Sequence, residues 1–211
     1  MPIRSLPFRD VENQLGRSAG FLVPPHRSLK DGSLVSEKEC EILARLVRMT
    51  EPATLFEFGT FEGFSTLILA MNAPKDARIY TLDLPRQIGK TRYPIDRKNM
   101  KYIFSRQATA FKNPYAKMIS CLRGDSAAFD ARPFRRQMDF IFIDGCHTYA
   151  YARTDATKAF SMLRPKGTIV WHDYNPRIWP EQVKFLRELS RKKELVHIRG
   201  TFFLLHRGQS D

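Results

Sequence analysis

Short runs of apolar and aromatic residues alternate along this chain with stretches whose apolar positions recur every three or four residues. Residues 36–39, S-E-K-E, carry the capping-box pattern that opens a helix, and Ile42, Leu43, Leu46 and Val47 continue it as one apolar stripe. Residues 54–57 read as a strand that ends in Glu57, followed by a loop with Gly59 and Gly63 and a helical run from Ser65. Further strands are expected at 78–83, 118–122, 138–143 and 168–171, and helices at 149–163 and 180–193. Pro165-Lys166-Gly167 reads as a turn. Segments 194–198 and 201–206 face each other across Arg199-Gly200 like a hairpin. Residues 1–35, with Pro2, Pro7, Pro24 and Pro25, read as an irregular arm ahead of a single domain at 36–211. Alternating strands and helices that end in a hairpin predict a three-layer α/β sandwich around a mostly parallel seven-stranded sheet.

Composition narrows this picture. A length of 211 residues suits one α/β domain with a full core. No uncharged apolar run is long enough for a membrane span, and the N-terminal residues lack the apolar core of a secretion signal. Three widely spaced cysteines, Cys40, Cys121 and Cys146, argue against a disulfide framework and fit a reducing cytoplasm. The net charge of +13 favours acidic partners. Much of the excess lies between residues 86 and 136, where thirteen Lys or Arg stand against three Asp.

The candidate chemistry sits at the strand ends. Glu57, Asp83, Asp144 and Asp173 each close a strand, and Asp125 follows another. In an open parallel sheet these ends share the edge where ligands bind. Any one of these acids suits a helix cap or a turn, but five on one edge suit a ligand rich in hydroxyls and amines, or a cation. A dinucleotide fingerprint is excluded, because Gly59 and Gly63 give G-x-x-x-G rather than G-x-G-x-x-G. Gly89-Lys90-Thr91 ends like a phosphate-binding loop, but Leu84 stands where its first glycine belongs.

The ordered set resembles class I S-adenosylmethionine-dependent methyltransferases with a Rossmann-like sheet. E-F-G-T-F-E-G-F-S-T resembles their first motif, Asp83 in T-L-D-L-P their second-strand acid, and Gly124-Asp125-Ser126 the close of their third strand. F-I-D-G-C-H-T-Y, followed by L-R-P-K-G-T-I-V-W-H-D-Y, resembles the branch acting on small molecules and sugars with a D-G-x-H-x-Y signature. The resemblance spans about residues 36–206. It implies a cofactor site built from Glu57, Gly59, Thr60, Gly63, Ser65, Asp83, Asp125, Ser126 and Asp144. Glu57 would meet the cofactor's amino acid end, Asp83 both ribose hydroxyls, and Asp125 the adenine amino group. The two glycines would let the backbone approach the cofactor.

Methyl transfer to oxygen needs a held acceptor and a base for its proton. His147 is the base candidate beside Asp144, and its alternative is a loop imidazole that caps the next helix or packs on Tyr149. Asp144 and Asp173 end adjacent strands and suit a Mg2+-like cation, as in metal-dependent members of the resembled family, with His172 or Asn175 completing the shell. Against a metal stands the H-D-Y-N pattern, which lacks a contiguous second acid. The basic connector at 86–117 reads as a lid recruiting an acidic or phosphorylated acceptor, as an RNA-binding surface with Tyr93, Tyr102, Phe104, Phe111 and Tyr115, or as a solvated helical face. The expected activity is O-methylation of a small-molecule or sugar hydroxyl. Its rivals are an RNA methyltransferase and a catalytically silent scaffold that binds RNA or a protein. The arm would also suit a homodimer.

Overall fold

A computed structural model describes residues 2–16, 20–24, 36–85, 90–95 and 114–209. Most of the basic connector lies outside the described residues, including Tyr102, Phe104 and Phe111, as does much of the arm. The strands are β1 (Arg4–Leu6), β2 (Thr54–Phe58), β3 (Arg78–Asp83), β4 (Ile119–Arg123), β5 (Met138–Ile143), β6 (Leu163–Trp171), β7 (Val196–Ile198) and β8 (Leu204–Arg207). The helices are α1 (Phe8–Leu15), α2 (Glu37–Thr50), α3 (Phe64–Asn72), α4 (Tyr149–Met162) and α5 (Pro180–Leu189).

One eight-stranded sheet runs in the order β1-β7-β8-β6-β5-β2-β3-β4. Among the described strands, only the β6–β8 and β7–β8 pairs are antiparallel. The central strands are apolar on both faces. Phe140 and Phe142 of β5 join α2 and α3 in one core, while Ile141 and Ile143 join α4 and α5 in the other. Burial of such side chains, about 1.5–3 kcal/mol each, is the main force holding the layers together.

The seven expected strands are present, and the hairpin turns at Gly200 with φ 77. The eighth comes from the arm. Arg4–Leu6 adds in parallel to β7, and α1 docks on α2 through buried Val11 and an ion pair between Glu12 and Arg45. Residues 165–167 are not a free turn. β6 runs through them as a bulge, with Lys166 at φ 59 and a register shift opposite β5 between Met138 and Phe140. α5 ends at Leu189, earlier than its apolar pattern suggests.

The strand order reverses between β2 and β5, with β3 and β4 on one side and β6 on the other. That switch opens a crevice at the carboxyl ends of β2 and β5. All the strand-end acids lie along this edge.

Candidate active site

Glu57 lies under the glycine loop and is fully buried. Its carboxylate accepts the hydroxyls of Ser65 and Thr81, each at 2.6 Å, and of Thr66. Thr60 in turn pairs with Thr81 at 2.6 Å. Glu57, Thr60 and Ser65 thus form a hydroxyl-saturated knot that ties the start of α3 to β3. Burial pushes the Glu57 carboxyl up to about 7 against the pull of those hydroxyls. Its ordinary value is 4.5, so the stability contributed by its neutral form is full below pH 4.5 and lost as pH rises to about 7. The difference is worth about 3 kcal/mol. Urea unfolding of Glu57→Gln is therefore expected to show a flatter fall in stability between pH 5 and 7 than the wild type. Parallel curves for the two proteins would contradict this.

Gly59 has φ 92, and a Cβ there would lie 2.1 Å from the carbonyl oxygen of Asp144. The glycine is required by the close approach of the β2 and β5 ends, a constraint distinct from the cofactor approach expected of it. Gly63, at φ 80, is the left-handed residue from which α3 starts.

Asp83 closes β3 with its carboxylate oriented by backbone N–H groups. Phe61 donates to Oδ2 and Leu84 to Oδ1, both at 2.7 Å. Burial raises its pKa, while these N–H groups oppose the rise. Each oxygen retains capacity for a further donor, at the spacing of a vicinal diol. Asp125 is more heavily engaged. Its Oδ1 accepts the Ala127 N–H at 2.8 Å and the Tyr151 hydroxyl at 3.0 Å, and its Oδ2 accepts the Arg92 N–H at 2.7 Å. Tyr93 meets Tyr151 edge-on at 5.8 Å. The described part of the connector, residues 90–95, therefore packs at the Asp125 end of the crevice. Ser126 offers its carbonyl to the Lys158 ammonium.

At the other end, β5 and β6 bring Asp144, His147 and Asp173 together. His147 Nε2 is 2.8 Å from Asp173 Oδ2, and its ring stacks on Trp179 at 3.8 Å and 15°. Trp179 also hydrogen-bonds the Asp173 carboxylate. Asp173 sits at φ 62, a left-handed conformation imposed where β6 turns away from the sheet. His172, 7% exposed, points between the acids. Its Nδ1 is 3.2 Å from Asp144 Oδ1 and 3.6 Å from Asp173 Oδ2, and its Nε2 is 3.8 Å from Glu39 Oε1. Burial would raise the Glu39 carboxyl, but His172 and the Phe202 N–H hold it down at about 2.

One ligand atom each from Asp144, His147 and Asp173 lies within 4.8 Å of the others, which matches a cation cage in number. Asp144 Oδ1 and Asp173 Oδ2 also pair with the imidazole nitrogens of His172 and His147, so a hard divalent cation would share these carboxylates with the two rings.

Trp179, Tyr151 and Glu39 were missed as site residues. Glu39 reads in sequence only as the capping-box acid, and it does cap: the Ser36 N–H donates to its Oε2 at 2.9 Å. Its second contact, from the Phe202 N–H to Oε1 at 2.7 Å, crosses most of the chain. The two tyrosine and tryptophan positions carry no motif signal beyond their aromaticity.

Comparison with known proteins bears on this geometry. A family model described as a methyltransferase domain matches residues 56–174. A search of curated proteins returned no match. Among solved structures, the O-methyltransferase TomG from Streptomyces achromogenes, involved in tomaymycin synthesis and in complex with SAM, is 18% identical with a TM-score of 0.59, covering 84% of this chain and 82% of that one. A SAH-bound methyltransferase from Podospora anserina is 16% identical with a TM-score of 0.61, covering 87% and 83%. An O-methyltransferase from Bacillus cereus in complex with SAH is 18% identical with a TM-score of 0.57, covering 88% and 83%. These likenesses establish a shared fold.

Proposed function

The chain belongs to the methyltransferase-domain family, and from that premise we propose that it moves a methyl group from S-adenosylmethionine to a hydroxyl of a small molecule. The carrying observation is that one sheet edge holds both a diol-ready carboxylate, Asp83, and an oriented imidazole–carboxylate pair, His147 with Asp173. A donor site and a proton acceptor on one crevice are what this transfer requires. The O-methyltransferases that share the fold add support for an oxygen acceptor.

Asp83 would hold the ribose hydroxyls, and the Gly59 loop would border the amino acid end. Glu57, spent on three hydroxyls, would favour the donor's positive charge through its field rather than by direct contact. Bound S-adenosylmethionine supplies an electrophilic methyl on a sulfonium. His147 takes the acceptor's hydroxyl proton. Pairing of Nε2 with Asp173 selects the tautomer whose lone pair is on Nδ1, and Asp173 stabilises the imidazolium that forms. Stacking on Trp179 fixes the ring plane. The basic connector suits an acidic or phosphorylated acceptor. No described helix is long and apolar enough to cross a membrane. None of the three cysteines forms a disulfide, which suits a reducing cytoplasm.

The test is incubation with methyl-labelled S-adenosylmethionine and, separately, panels of sugars, phenols and total RNA. Label is expected in the small-molecule hydroxyl products. Label confined to RNA would overturn the acceptor class, and no transfer to any panel would favour the silent scaffold.

A further inference from the structure

We propose that one face of α4, made by Tyr151, Asp155 and Lys158, aims the Asp125 carboxylate at a single N–H of the cofactor's base, and that Tyr151 is thereby a positioning residue that selects adenine over a 6-oxo purine. The proposal rests on the donor site proposed above, with Asp125 at its adenine end.

Residues 151, 155 and 158 are spaced four and three apart, which places them on one side of the helix. All three engage Asp125 and Ser126, just beyond β4. The Tyr151 hydroxyl donates to Asp125 Oδ1 at 3.0 Å. Asp155 lies against Ser126. The Lys158 ammonium donates to the Ser126 carbonyl, and its Nζ stands 6.0 Å from the centre of the Phe129 ring. A helix that only packed on the sheet would bury apolar residues alone, as α4 does with Ala152, Ala156 and Ala159. Here Tyr151 and Asp155 are buried as well. Asp155 Oδ1 has no hydrogen-bond partner among the described residues, a costly arrangement for a buried acid. A Cβ at Gly145 would lie 3.3 Å from Asp155 Oδ2, so the same acid also borders the loop after β5.

The consequence falls on Asp125. A carboxylate has about four acceptor directions, two on each oxygen. The Ala127 N–H at 2.8 Å and the Tyr151 hydroxyl fill Oδ1. The Arg92 N–H at 2.7 Å takes one direction of Oδ2. Three donors from three segments thus hold the plane of the carboxylate, and among the described residues one direction of Oδ2 is left over. That direction accepts an N–H and repels a carbonyl oxygen. An adenine amino group satisfies it, and the oxygen of a 6-oxo purine does not. Tyr93 meets the Tyr151 ring edge-on at 5.8 Å and 88°, which steadies the ring that carries the hydroxyl. Without that hydroxyl the carboxylate can turn toward the N1–H of a 6-oxo purine, and the selection weakens.

Calorimetry on the full chain compares S-adenosylhomocysteine with S-inosylhomocysteine, its 6-oxo counterpart, so no methyl acceptor is needed. The wild type is expected to bind the adenine compound at least about tenfold more tightly, the weight of one hydrogen bond to a charged group. Tyr151→Phe, shown to be folded by its thermal transition, is expected to bring that ratio within about threefold. Tyr149→Phe is the matched control. It removes a hydroxyl from the same helix, one that donates to Glu188 at 2.5 Å, and is expected to keep the wild-type ratio. A general loss of stability weakens both ligands alike and leaves the ratio unmoved. A wild-type ratio in Tyr151→Phe, an equal fall in Tyr149→Phe, or a wild type without preference would overturn the proposal and leave donor binding standing. A wild type that binds neither compound would overturn it together with the donor site. Should Tyr151→Phe not fold, Asp155→Asn, which loosens the same loop from α4, is held to the same criterion.

Discussion

Replacing His147 with alanine is expected to lower methyl transfer by about 10²- to 10⁴-fold, the usual contribution of a positioned general base. The affinity for S-adenosylmethionine should stay within about twofold, because the donor-binding groups Asp83 and the Gly59 loop belong to β3 and to the end of β2. This separation of turnover from donor affinity distinguishes a base from a packing residue. His147 does pack, being 7% exposed and stacked on Trp179. Its removal therefore also leaves a cavity, with an expected cost in stability. A purely structural loss would lower the unfolding midpoint and affect donor and acceptor steps alike. Loss of a base lowers turnover and leaves donor affinity nearly unchanged. Turnover of His147→Ala within about threefold of wild type would take the base role from this residue.

Why some of this was readable from sequence, and some not, follows from the range of the forces involved. Glu57, Gly59 and Gly63 announce themselves because a strand, a tight loop and a helix start are local events with local composition. The central strands were readable because burial on both faces leaves a continuous apolar run, as in residues 138–143. β1 was not readable. Arg4, Ser5 and Leu6 carry no apolar pattern, and their strand depends on pairing with β7 nearly two hundred residues on, joined by the Ser5–His197 and Arg4–Glu194 contacts. Residues 165–167 read as a turn because Pro165 and Gly167 signal one locally, while pairing with β5 carries the strand past them.

The site divides in the same way. The acids at the strand ends were legible because topology brings strand ends together. Their partners were not. Glu39 meets His172 across more than a hundred residues, and Trp179 reaches His147 from the far side of β6. Asp125 is expected to accept the adenine amino group, and the structure adds Ala127, Tyr151 and Arg92 as donors to its oxygens. Such hydrogen bonds depend on side-chain placement that no spacing rule encodes.

On the proposed function, donor binding would depend most on Asp83. Its two oxygens are aimed by Phe61 and Leu84, so little ordering remains when two ribose hydroxyls arrive. Hydrogen bonds to a charged group contribute about 1.5–3 kcal/mol each. Their joint loss in Asp83→Ala amounts to at least about 3 kcal/mol, or a weakening of about 10²-fold or more. The substitution also leaves the two N–H donors without their acceptor, so folding of the variant is checked by its thermal transition. The most direct measurement is isothermal calorimetry of S-adenosylmethionine with the wild type and with folded Asp83→Ala. The expected result is one-to-one binding by the wild type and a dissociation constant about a hundredfold higher or more for the variant. No binding by the wild type, or equal affinity in the two proteins, would contradict the donor site described above.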